Sequence, residues 1–88
     1  YRNSVHIEPV GEKVESVIEI LDKRYSAQWE SYNYTCVTTD GNLVSFMNKY
    51  EHAVGSRKRI KAKVKSHTKN RLFSANETRL NYVKLYKV

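Results

Sequence analysis

Apolar and polar positions alternate most sharply in RIKAKVKSH, residues 59–67. Ile60, Ala62 and Val64 are separated there by Lys61, Lys63 and Lys65 and flanked by Arg59 and His67. Successive side chains of a strand point to opposite faces, so the pattern predicts a strand with an apolar core face and an outer row of positive charge. EKVESVIEIL, residues 12–21, fits two periods: Val14, Ile18 and Ile20 share a parity, while Val14, Val17, Ile18 and Leu21 have helical spacing. Its Val and Ile content favours a strand. ESYNYTCVTT and LVSFMNKY enclose Asp40-Gly41-Asn42, a tight-turn signal that predicts a hairpin over residues 30–48. ETRLNYVKLYKV, residues 77–88, predicts a last strand.

Polar runs connect these segments. DKRYSAQW, residues 22–29, and TKNRLFSAN, residues 68–76, read as loops; residues 49–56, ending near Gly55, have room for one helical turn. Residues 1–10 lack a period, contain Pro9 and read as a linker or N-terminal arm, leaving 11–88 as the domain. Five short strands in a small chain must close on themselves or expose edges. The expected fold is therefore all-β, a small five-stranded OB-fold-like Greek-key barrel with its longer connector between strands three and four. An SH3-like barrel is the competitor, but it would place a longer excursion early in the chain.

With 88 residues, 40% of them hydrophobic, the chain can form one small domain with a modest core. It begins with Tyr1 rather than Met, which is expected of a module within a longer protein. Charge changes the picture more. Residues 1–51 carry eight acids against five Lys and Arg, a net −3; residues 52–88 carry one acid against eleven, a net +10. An asymmetry of this kind points to a nucleic acid or another anionic partner. No apolar run reaches the roughly 20 residues a membrane span needs, and the start has no signal-peptide pattern. A single cysteine, Cys36, excludes an internal disulfide and fits a reducing, cytoplasmic setting. The sequons at Asn33 and Asn76 read as chance matches without secretion.

The residues offer little for catalysis. His6, His52 and His67 are scattered and none stands at metal-ligand spacing from Cys36. Cys36 has no activating base beside it and reads as a core residue. Asp22 with Glu30, or Glu15 with Glu19, read as solvated charges, and no phosphate-binding glycine loop occurs. Neither enzyme activity nor a metal, cofactor or small-molecule substrate is expected.

Binding is better served. Single-strand binders combine cations that follow phosphates with aromatic rings that stack on bases. An OB-fold binds across strands two and three, between its first and last loops. The first loop holds Lys23, Arg24, Tyr25 and Trp29, and the second Lys69, Arg71 and Phe73. Trp29 can serve as a lid on the core or as a stacking platform, and Phe73 as a loop anchor or a stacking ring. On the second strand Tyr32, Tyr34 and Cys36 share the expected core face, leaving Asn33, Thr35 and Val37 outward; Val44 and Phe46 are core on the third. Lys61, Lys63 and Lys65 would project from the barrel wall, either as solvated charges that discourage edge pairing or as an auxiliary surface for a polyanion.

The strand leading into Asp40-Gly41-Asn42, the following LVSF, the connector at Gly55, KVKSH and the closing TRLNYVKL together resemble a small domain of bacteriophage-encoded replication and helicase-type proteins; Gly11-Glu12-Lys13-Val14 also fits. The likeness covers residues 11–86. It implies an OB-fold-like accessory module beside a catalytic domain of the same parent protein, in the cytoplasm of a bacterial or phage-infected host cell. The expected function is low-specificity binding of nucleic acid, preferably single-stranded DNA or RNA. The rivals are a protein-interaction module that docks an acidic partner and a small RNA-binding domain.

Overall fold

The computed structural model describes Tyr1 and residues 3–88; Arg2, within the expected arm, lies outside the described residues. Five strands follow one another: β1 Lys13–Ser26, β2 Ser31–Thr38, β3 Leu43–Asn48, β4 Arg57–Asn70 and β5 Ala75–Lys87. They form a closed barrel in the order β1-β2-β3-β5-β4, with β4 pairing back onto β1. Every pairing is antiparallel except that of β3 with β5. The expected five-stranded, OB-fold-like Greek-key barrel is therefore the observed fold.

The core follows the alternation. Val14, Ile18 and Ile20 of β1 point inward with Tyr34 and Cys36 of β2, Val44 and Phe46 of β3, Ile60, Ala62 and Val64 of β4 and Leu80 of β5. The helical alternative for β1 is overruled because Val17 and Leu21 are only half-buried. Lys61, Lys63 and Lys65 are all exposed, as the register of Ile60, Ala62 and Val64 requires. The 40–42 turn also forms as expected: the Thr38 amide donates to Asn42 O at 2.9 Å, and Gly41 takes φ +84°, where a side chain would be strained.

Three expectations are corrected. Residues 49–56 form bends and a turn, not a helical turn. The loop over 22–29 shrinks to residues 27–30, because β1 runs on to Ser26 and pairs Tyr25 with Tyr32. The loop over 68–76 shrinks to residues 71–74, because β4 runs on to Asn70. Residues 22–30 and 68–74 are all half-buried or exposed. No apolar alternation is needed there, which is why the sequence reads as loop.

The N-terminal segment is an arm that is fastened down. Buried Ser4 donates through Oγ to Asn76 O at 2.7 Å and accepts from the Leu43 amide at 2.7 Å. The Ile7 amide donates to Thr78 Oγ1 at 3.1 Å, and the Ile7 side chain packs on the core. These contacts span the seam between β3 and β5, the shortest in the barrel, with three paired positions. Ser4→Ala should leave a buried amide and carbonyl unpaired, costing about 1–3 kcal/mol. Urea unfolding should show a lower midpoint at unchanged slope; an unchanged midpoint would mean the arm contributes no stability.

Candidate nucleic-acid interface

Two concave surfaces of the barrel share no lining residue. The first covers the outer face of β2 and β3 between the β1–β2 and β4–β5 hairpins. Its volume is about 490 Å³, and it is lined by Asp22, Arg24, Asn33, Thr35, Ser45, Glu77, Arg79 and residues 69–72. This is where an OB-fold binds its ligand.

The floor is a hydrogen-bonded relay. Arg79 Nη1 donates to Asn33 Oδ1 at 2.8 Å and to Ser45 Oγ at 3.2 Å. Ser45 Oγ donates to Glu77 Oε2 at 2.6 Å, and Asn70 Nδ2 donates to Glu77 Oε1 at 2.7 Å. Ser45 and Glu77 are buried, so the paired groups hold the floor rigid and offset the cost of removing a carboxylate from water. The rim differs. Lys69 and Arg71 are exposed, and among the described residues neither makes an ion pair or a side-chain hydrogen bond. Arg24 Nε reaches Asp22 Oδ2 at 3.2 Å, but its side chain stays 72% exposed. The groove thus collects Arg24, Lys69, Arg71 and Arg79 against Asp22 and Glu77, a net positive concavity with two cations free to move.

The expected site residues divide between locations. Arg24, Lys69 and Arg71 meet in the groove. Lys23 and Tyr25 do not, because a bulge between Ile20 and Asp22 sets Asp22 and Arg24 on the outer face with Thr35 and Asn33, and Lys23 and Tyr25 on the other face with Tyr34 and Tyr32. Lys23 is further engaged by Glu51, 2.7 Å away, whose hydrogen bond raises the lysine pKa and whose own pKa the lysine lowers. Trp29 is 64% exposed at the tip of the first hairpin, so it is no lid on the core, but it does not line the groove. Phe73 is half-buried with its ring edge-on to Tyr1 at 5.1 Å, the geometry of a loop anchor. Among the described residues no aromatic ring lines this groove.

Arg79, Asn70, Ser45 and Glu77 escaped the sequence reading. Arg79 and Glu77 flank inward-facing Thr78, and that parity was the available signal.

The second concavity, of about 550 Å³, lies on the β1–β4–β5 wall. Lys13, Val14, Glu15, Lys61, Ala62, Lys63, Tyr82, Lys84 and Tyr86 line it. It takes in two of the three lysines of the row; Lys65 projects beyond it.

Cys36 is fully buried, and burial, followed by the nearby Glu77 charge, pushes its thiol pKa well up. A thiol reagent should therefore leave the native protein unlabelled and label it on unfolding; fast labelling of the native protein would contradict the core assignment. Among the described residues no three of His, Cys, Asp and Glu gather as metal ligands would, and no helix is long and apolar enough to cross a membrane.

The fold and this groove together define a small OB-fold-like barrel with a net positive concave face. No family model, curated protein or solved structure matches the chain.

Proposed function

We propose that this barrel binds single-stranded nucleic acid with little sequence specificity, as a non-catalytic accessory module of a phage-type replication or repair protein. The observation that carries the reading is the gathering of Arg24, Lys69, Arg71 and Arg79 in one concavity across β2 and β3. Lys69 and Arg71 stand at the rim with freedom to meet phosphates, a contact that positions a strand without reading its sequence. Exposed Trp29 and Tyr25 at the neighbouring hairpin tip are within the same end of the barrel. The parent machine is inferred from the resemblance of residues 11–86 described above.

A second reading, docking of an acidic protein surface, is favoured by one feature: the groove lining contains polar and charged groups and Leu72, but no ring on which a base could stack. Fluorescence titration with single-stranded and duplex DNA and RNA separates the two. The nucleic-acid reading expects single strands to bind more tightly than duplexes of equal charge. No binding to any oligonucleotide at low salt would reject it and promote the docking reading.

A further inference from the structure

The row of lysines on β4 poses a physical problem that the ladder sharpens. Lys63 lies directly across from Lys13 of β1, and Lys61 across from Lys84 of β5. Like charges directly opposite one another in a sheet destabilise it. Glu15, across from Lys61, is the one acid lining the concavity, against Lys13, Lys61, Lys63 and Lys84. Among the described residues none of these four lysines is in an ion pair. A solvated face would tolerate this, yet nothing about solvation calls for two such pairs on one wall.

The same wall carries a second oddity. Between Lys61–Lys84 and Lys63–Asn81 the register slips, because β5 inserts one extra residue. Tyr82 lies in that bulge with φ +53°, the left-handed region that a bulky side chain rarely adopts. The bulge turns Val83 and Leu85 toward the core and leaves Tyr82 78% exposed, alongside Lys84 and Tyr86. Gly, or Asn, would meet this backbone at less cost. Tyr86 takes a different part: the Arg59 guanidinium and the Lys61 ammonium lie 5.6 and 5.8 Å from its ring centroid. That contact holds two cationic heads beside the concavity. Strained residues persist where the surrounding structure enforces them and tend to mark binding sites.

We propose that the β1–β4–β5 wall is a second nucleic-acid contact, sharing no residue with the groove, in which a base stacks on Tyr82 and Lys13, Lys61, Lys63 and Lys84 meet the neighbouring phosphates. The proposal rests on the nucleic-acid reading of the barrel and supplies the stacking ring that the groove lacks. Charge complementarity selects a polyanion, and the exposed ring selects a nucleic acid over an acidic peptide, because every base presents a face for stacking. Phosphates over the wall would relieve the cross-strand lysine repulsion, so binding and relief of strain in the ladder act together.

Two variants test it. Tyr82→Asn removes the ring and eases the backbone. Lys63→Gln with Lys84→Gln removes one member of two like-charge pairs. Thermal unfolding should show both as stable as the wild type or more so. Affinity for an oligothymidylate of about 12 nucleotides, within the span one OB-fold covers, should fall about fivefold or more for Tyr82→Asn with the salt dependence unchanged. The lysine variant should bind less tightly and lose about 1.4 from the slope of log affinity against log salt. A bromouridine-substituted strand should photo-cross-link to Tyr82. Unchanged affinity and slope in both variants, while Arg71→Ala weakens binding, would overturn the wall contact and leave the groove reading standing. No binding by the wild type would overturn both. Poly-glutamate bound as tightly as the oligonucleotide, with Tyr82→Asn neutral, would overturn stacking and assign the wall to acidic protein.

Discussion

Replacing Lys69 and Arg71 together by Glu should lower affinity for a short single strand on the order of a hundredfold at low salt. Each phosphate neutralised on a single strand contributes roughly 0.7 to the slope of log affinity against log salt. At about 50 mM salt that corresponds to roughly 0.9 log units per contact, so two contacts approach two log units. Reversing the charges adds repulsion to the loss. Stability should change little, because both side chains are exposed and among the described residues neither is hydrogen-bonded through its side chain. The neighbouring Arg79 is a poorer choice for this experiment. Its ties to Asn33 and Ser45 make it part of the floor, and its removal would disturb Glu77 as well. A double variant that folds normally and binds as the wild type does would remove the rim cations from the site.

Phe46→Ala should cost about 3–5 kcal/mol, the range for an aromatic ring deleted from a packed core. Phe46 has no exposed surface, and its ring lies 5.5 Å from that of Tyr34, which is equally buried. Tyr34 in turn donates to Tyr50 O at 2.8 Å and accepts from the His52 amide at 2.7 Å. The Tyr34 hydroxyl thus helps to tie the β3–β4 connector to the core, beside the space that Phe46→Ala would leave. In a domain of this size a loss of that magnitude lowers the melting temperature by about 12 °C or more. Trp29→Ala is the matching control: its ring is 64% exposed, so stability should move by no more than about 0.5 kcal/mol. A similar melting loss for both variants would mean that Trp29 is packed after all.

The sequence shows the fold where burial acts on one face. Ile60, Ala62 and Val64, or Tyr34 and Cys36, reveal strand and register because water on one side and core on the other impose a period of two. Where a strand leaves the core that constraint ends, and residues 22–26 and 68–70 read as loop although they pair to the hairpin ends. Bulges set a second limit. The one at Leu21 decides that Arg24 rather than Lys23 faces the groove, which local composition does not show, and the one at Tyr82 turns a ring outward. The apolar spacing Leu80, Val83, Leu85 does carry the second, since three residues and then two separate positions that all face the core side. The cations of the groove were legible as a group only once the barrel order was assumed. Its floor was not, because Ser45, Glu77 and Arg79 come together across the parallel β3–β5 seam, a pairing of residues more than thirty positions apart.

The most direct measurement is the affinity of the wild-type protein for a short single strand and for the matching duplex, across salt from about 50 to 200 mM. The account predicts tighter binding of the single strand and a linear fall of log affinity with log salt, with a slope that corresponds to several phosphates. Absence of binding at the lowest salt, or a duplex bound more tightly than the strand, would contradict it.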